Sequence, residues 1–265
     1  MTPEPGAPAS TTERVARILM AFGRAGQPLG VSEVARACDL SKAVVHRILQ
    51  TLVREGLLRA DAGSRKYALG PAALALGQEA ARGDALRSAA MPVISHLAEV
   101  TGETTTVTER VGHGRHYVGQ IESFRPIRIT IRIGDQVPLW SGASGLSILA
   151  FMDDDDVDYV LGGELTAFTE ATVTDPIEIR ERLTAIRERG WAKTAGERVP
   201  FSSSIAAPIF DVDGTPAGSL SIAILADRAD GHAEQELSRL VVTSAADAST
   251  RLQRIRRGVE SPRRR

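Results

Sequence analysis

Three groups of side chains in this 265-residue chain have types and spacings that could do chemistry. The first is cationic and hydrogen-bonding: Ser41, Lys42, His46, Arg47 and Gln50, followed by Arg65 and Lys66. Residues 41–66 hold six Lys or Arg against two acids, Glu55 and Asp61, which suits a phosphate backbone, although a solvated helix face would look the same. The second group is a set of hydroxyls. Ser141 and Ser144 fall at an expected helix start, where free N–H groups favour a carboxylate or other anion, and Ser202, Ser203, Ser204 and Ser221 fall in or beside expected strands. They could line a small polar pocket, or merely satisfy local backbone.

The third group imitates metal or catalytic sites. His113 and His116 are three apart but bracket a hairpin turn, and no third zinc ligand is evident. Aspartates 153–156 lack the alternating oxygen pattern of a calcium loop and suit a helix N-terminus instead. Gly142-Ala143-Ser144-Gly145 lacks the glycine spacing of a nucleophile elbow, and there is no phosphate-binding loop or dinucleotide fingerprint. Cys38 is the single cysteine, so no intrachain disulfide or thiolate cluster can form, and a small buried side chain is expected there. No catalytic residue, metal or cofactor is expected.

The elements that must position these groups follow from periodicity. Residues 13–22 repeat apolar positions at helical spacing, with Thr11 or Thr12 as cap, and residues 23–30 form a loop. Ser32 is expected to cap a short helix that Asp39 and Leu40 end. Ser41 then caps a helix whose buried stripe is Val45, Ile48, Leu49 and Leu52, leaving Lys42, His46, Arg47, Gln50 and Arg54 on the opposite side. A major groove accepts such a helix. Residues 57–60 and 65–69 flank the turn-forming Asp61-Ala62-Gly63-Ser64, giving a hairpin with Arg65 and Lys66 near its tip. Pro71 opens a further helix to about residue 82, read as a linker and part of a dimer contact.

Beyond it, residues 85–100 read as helix and residues 103–110, 115–122 and 127–133 as strands, the last alternating four isoleucines with Arg128, Thr130 and Arg132. Helices are expected over residues 141–151, 153–161 and 176–189, strands over 205–211 and 218–225, and a long helix over 233–257. Helices on one side of a mainly antiparallel sheet make an α+β, GAF-like domain. Residues 1–10 read as a disordered arm and residues 258–265 as a basic disordered tail. Residues 11–70, 71–84 and 85–257 are thus expected as a winged helix-turn-helix domain, a linker helix and the α+β domain.

Charge divides the chain the same way. Residues 1–80 carry ten cations against seven acids, residues 81–250 fifteen against twenty-five, and residues 251–265 seven against one. An acidic body would be repelled by nucleic acid, so DNA contact is expected only at the ends. Residues 1–10 lack the basic and apolar regions of a signal peptide and no apolar run approaches a membrane span, so no membrane is expected and the cytoplasm is the expected compartment.

LSKAVVHRILQTLVREGLL and RKYALG, then TGET at 101–104, VPLWSGASGLSILA at 137–150 and AAPIF at 206–210, together resemble the IclR family of bacterial transcriptional regulators. The resemblance implies a winged helix-turn-helix domain joined to an effector-binding domain, working as a homodimer or homotetramer. It implies DNA contacts at Ser32, Ser41, Lys42, Ala43, Val44, His46, Arg47, Gln50, Arg65 and Lys66, Ala43 and Val44 standing where the family commonly has Ser and Thr. It implies effector contacts at Ile129, Ala143, Ser144, Thr194, Ser202, Ser204 and Ser221. Where many members have glycine and then cysteine, this chain has Phe201 and Ser204, and Trp140 replaces a common histidine. Trp140 and Phe201 beside the pocket would suit a larger or more aromatic effector than a two- or three-carbon acid. The expected partners are double-stranded operator DNA and a small-molecule effector, a carboxylate or aromatic metabolite. The competing readings are a metabolite-binding protein or enzyme whose winged domain makes protein contacts, and a structural DNA-binding protein without a ligand. Operator, effector and sign of regulation are not legible.

Overall fold

The computed structural model describes residues 10–61, 63–228 and 231–260, and the expected arm at 1–9 and tail residues 261–265 lie outside them. The chain divides into two compact units, the first ending at Gly83 and the second beginning at Asp84.

The first unit runs α1 (Thr11–Ala25), α2 (Val31–Cys38), α3 (Lys42–Arg54), β1 (Leu58–Asp61), β2 (Lys66–Leu69) and α4 (Pro71–Gly83). Ser10 caps α1: its hydroxyl accepts from Glu13 N at 3.2 Å while the Glu13 carboxylate accepts from Ser10 N at 2.8 Å. The cap is therefore Ser10, not Thr11 or Thr12, because only Ser10 has the glutamate three residues on that closes the pair. Likewise Ser32 does not cap α2. Gly30 does, its N–H held at 2.7 Å by Glu33, so Ser32 lies within the first turn. Ser41 caps α3, accepting from Val44 N at 3.4 Å. The apolar stripe of α3 buries Val45, Ile48, Leu49 and Leu52 against Ile18, Phe22 and Val34, with Cys38 buried in the same cluster. Strands β1 and β2 pair antiparallel from Leu58↔Leu69 to Asp61↔Lys66, and Leu29 of the preceding loop bridges to Tyr67, so the hairpin is a two-stranded wing tied to that loop. No residue of α4 is buried.

The second unit runs α5 (Ala85–Thr101), β3 (Thr104–Val111), β4 (Gly114–Ile121), β5 (Gln136–Pro138), α6 (Ala143–Leu149), α7 (Asp154–Leu161), α8 (Pro176–Arg189), β6 (Ala192–Ala195), β7 (Ser202–Phe210), β8 (Pro216–Leu225), a 3-10 turn and α9 (Gly231–Glu260). One antiparallel sheet has the order β5-β4-β3-β8-β7-β6. The alternation of side chains along a strand gives the sheet two different faces. Val107, Ile205, Ala207, Ile209, Leu220, Ile222 and Ile224 pack on α5 and α9. The residues between them are small and mostly hydroxylated, including Thr106, Ser204 and Ser221, while Ala206 joins a second cluster built on α6, α7 and α8.

Three expectations are corrected here. Helices cover both faces of the sheet rather than one, because β7 supplies buried apolar side chains to each. Residues 127–133 are not a strand. They run without ladder pairing, tied down where Thr104 Oγ1 donates to Ile129 O at 2.7 Å and Ile131 N donates to Gln120 Oε1 at 2.7 Å. Alternation needs a free neighbouring strand edge to become a ladder, and β5 occupies that edge of β4. The expected tail begins inside α9, which continues to Glu260.

Candidate functional site

In the first unit, α3 turns its unburied side outward: Lys42, Ala43, His46, Arg47 and Gln50 are exposed, with the ring Nε2 of His46 3.4 Å from the Gln50 amide nitrogen. Ser41 is exposed beside them and Ser32 is exposed on α2, whereas Val44 is half-buried against the winged core. Arg65 is held at φ +55 in the wing turn, where Asp61 accepts from Gly63 N at 3.1 Å and Ser64 Oγ at 2.5 Å. Lys66 lies 3.7 Å from Glu33, tying the wing to α2. The Gly30 N–H first, and then the Lys66 charge, hold the Glu33 carboxyl below its ordinary value. Between α3 and the wing lies a groove of about 500 Å³ lined by Arg47, Gln50, Thr51, Arg54 and Tyr67.

The second unit holds a cavity of about 520 Å³ against the hydroxylated face of the sheet. Seven of the expected effector residues line it: Ile129, Ala143, Ser144, Thr194, Ser202, Ser204 and Ser221. Trp140 does not. It is buried in the second apolar cluster and stacks on Phe168 at 5.6 Å. Phe201 is 80% exposed and is likewise not a lining residue, so the two aromatics that suggested a larger aromatic effector are not in the cavity wall.

The lining sequence could not reveal is charged. Arg115 on β4 is 1% exposed, donating from Nε to Pro138 O at 3.3 Å and from Nη2 to Ser141 O at 3.2 Å. Its Nη1 has no protein partner among the described residues, nor has Nη1 of Arg198. Arg115 Cζ lies 5.2 Å from the Tyr117 ring centre. Burial pushes the Tyr117 phenol up, but Arg115 and Arg198 outweigh it and hold the phenol below its ordinary value. Burial first, and then Arg115, push Arg198 down.

Small residues let these cations reach the start of α6. Gly142 has φ +79, and a Cβ there would lie 3.0 Å from Arg198 Cδ. A Cβ on Gly145 would lie 2.4 Å from Leu139 O and 3.0 Å from Arg115 Nε. The N–H groups of Gly142 and Ala143 are already engaged, by Glu197 Oε2 at 3.4 Å and Thr194 Oγ1 at 3.1 Å. Polar selectivity therefore shifts from the helix start to the side chains around it. In the sheet, Thr106 and Ser221 hydroxyls pair at 2.7 Å.

The decoy motifs resolve into ordinary contacts. His113 bonds Asp156 at 2.7 Å, His116 lies 3.4 Å from Gly134 O, and aspartates 154–156 occupy the first turn of α7. Among the described residues no group of three or more His, Cys, Asp or Glu is placed to hold a metal, and no helix is long and apolar enough to cross a membrane.

Residues 11–62 match the IclR helix-turn-helix domain and residues 78–250 the bacterial transcriptional regulator IclR C-terminal domain. The HTH-type transcriptional regulator BhcR of Paracoccus denitrificans is 34% identical, over 73% of this chain and 70% of that protein. The HTH-type transcriptional regulator KdgR of Escherichia coli is 31% identical over 92% of each. The crystal structure of an IclR-type regulator from Alicyclobacillus acidocaldarius superposes with a TM-score of 0.81 at 28% identity, covering 93% of this chain and all of that one. An IclR homologue from Microbacterium hydrocarbonoxydans, complexed with 4-hydroxybenzoate, shares the fold at a TM-score of 0.79 and 23% identity, covering 92% of this chain and all of that one.

Proposed function

The chain belongs to the IclR family of bacterial transcriptional regulators, and from that premise we propose how its two units divide the work. The protein is a DNA-binding regulator of transcription whose operator binding responds to a small-molecule effector. On our reading α3 enters the major groove with Arg47 and Gln50 toward base edges, while Ser41, Lys42, His46, Arg65 and Lys66 contact phosphates. The observation that carries this is the division of α3 itself: one face wholly buried, the other cationic, hydrogen-bonding and exposed. Ser32 and Ala43 lie at the rim of that surface, and half-buried Val44 contributes shape rather than a polar contact.

The 520 Å³ cavity is our effector site, in keeping with the ligand carried by the Microbacterium homologue. Coupling between two sites is reciprocal, so an effector that weakens operator binding is itself bound less tightly by the operator complex. We propose a homo-oligomer in which α4 contributes to the contact, since Leu74 and Leu76 are 65% and 63% exposed and no α4 residue is buried. A cytoplasmic location accords with binding DNA. A catalytic role has no support in the relatives, which are regulators.

The test is binding of purified protein to its own upstream intergenic DNA across a salt series, with and without a panel of acids. The expected result is specific binding with a steep salt slope that one class of acid shifts. Binding no tighter than to an unrelated duplex would refute it.

A further inference from the structure

We propose that the cavity selects a small hydroxylated acid carrying two negative charges, one anionic group seated between Arg115 and Arg198 and a hydroxyl met by Ser144 and Ser204. The inference rests on the effector reading above and narrows it. Arg115 is the observation that carries it. Its guanidinium is buried among protein atoms that occupy Nε and Nη2 and leave Nη1 unpartnered, in a wall of the cavity. A buried charged donor without a partner is costly, and a bound anion removes that cost.

Arg198 repeats the pattern from the loop after β6. Its Nη1 is also buried and unpartnered, and its Cζ sits 4.6 Å from the Phe168 ring centre, which orients the fork but neutralises nothing. The two side chains converge: a Cβ on Gly142 would lie 3.0 Å from Arg198 Cδ and 3.5 Å from Arg115 Nη2. Like charges so placed repel unless an anion joins them, and a planar fork on each side suits a carboxylate or phosphate.

The count of charges favours a dianion. Glu197 is committed to Arg182 at 2.5 Å and to the Gly142 N–H. Asp135 is the other acid of the lining and forms no ion pair among the described residues, so against Arg115, Arg198 and the exposed Arg132 the lining keeps two formal positive charges in excess. Burial and the Arg115 charge both push Arg198 down from its ordinary value, as expected of a cation short of counter-charge.

The hydroxyl part of the ligand follows from which serines are free. Thr106 and Ser221 bond each other, Ser202 donates to Val199 O at 2.6 Å and Ser203 to Thr194 O at 3.3 Å. Among the described residues, the hydroxyls of Ser144 and Ser204 bond no protein atom, and both residues line the cavity. A ligand hydroxyl supplies what they lack, and a bare hydrocarbon does not.

Calorimetric titration of the full chain tests this with five probes: glucarate and glucose 6-phosphate, hydroxylated dianions of the carboxylate and phosphate kinds; gluconate, with one charge; adipate, with two charges and no hydroxyl; and 4-hydroxybenzoate. We expect one hydroxylated dianion to bind about tenfold or more tighter than gluconate and adipate, and which of the two binds identifies the anionic group. Arg198→Gln should lose about tenfold to a hundredfold of that affinity and Arg198→Lys less, with the melting temperature of the unliganded variants checking that they fold. If gluconate or 4-hydroxybenzoate binds as tightly as any dianion and shifts operator affinity, the dianion inference falls and the effector reading stands. If no acid binds while operator binding is intact, both fall. Unchanged affinity in Arg198→Gln overturns the arginine clamp.

Discussion

Phe201 sits at φ +61, in the left-handed region that bulky residues avoid, at the start of β7 where Ala226 N donates to its carbonyl at 2.8 Å. The side chain is 80% exposed, so little packing accounts for the conformation. Comparing Phe201→Gly with Phe201→Ala isolates the backbone, because both variants lose the same aromatic contacts. A left-handed residue with a Cβ costs about 1–2 kcal/mol, and glycine escapes that cost. Against this, glycine's freer unfolded chain disfavours folding by about 0.5–1 kcal/mol relative to alanine. The first effect exceeds the second, so Phe201→Gly should be more stable than Phe201→Ala by about 0.5–1 kcal/mol, the reverse of the usual order. In a unit of this size that is a difference of about 1–4 °C in melting temperature, within reach of scanning calorimetry. An alanine variant as stable as the glycine variant, or more so, would refute the argument.

Arg47→Ala should weaken operator binding strongly and relax base preference, while Lys66→Ala should weaken it evenly across sequences and lower the salt slope by about one, read from fluorescence anisotropy over a salt series. Gly145→Ala forces a Cβ to within 2.4 Å of Leu139 O and crowds Arg115, and should cost about 1–3 kcal/mol in denaturant titration; a silent variant would mean that α6 can shift freely. Leu49, fully buried in the winged core, should cost about 2–5 kcal/mol as Leu49→Ala. For the cavity, the phenol of Tyr117 is held below its ordinary value by Arg115 and Arg198, with Asp135 opposing. As pH rises through that lowered value a phenolate forms beside the two arginines and competes with a bound anion. Anion affinity should therefore fall on the alkaline side, and Tyr117→Phe should flatten the calorimetric pH profile.

The elements of the first unit were legible because each signal is local. A hydroxyl or glycine followed three residues later by Glu, a stripe at helical spacing and a turn-forming tetrapeptide specify α1, α2, α3 and the wing from neighbouring residues alone. The errors there, Ser10 for Thr11 or Thr12 and Gly30 for Ser32, are shifts of one or two residues between competing caps. In the second unit the serines at 202–204 and 221, in or beside expected strands, marked part of the cavity wall.

Other features required contacts between distant segments. Residues 127–133 alternate like a strand, yet the edge they would pair with belongs to β5, a three-residue segment with no pattern of its own. Trp140 and Phe201 flank cavity residues in sequence, but one packs into the core against Phe168 and the other faces solvent. Arg115 looks like any surface residue of a strand, and Arg198 like any loop cation. Their burial, their convergence on Gly142 and the pairing of Glu197 with Arg182 arise only when β4, β5, α6 and the loop after β6 are brought together. Local periodicity and capping chemistry fixed the helices, the wing and strands β3, β4, β7 and β8. Tertiary packing decided the charge of the cavity, because electrostatics depends on distances through space and not along the chain.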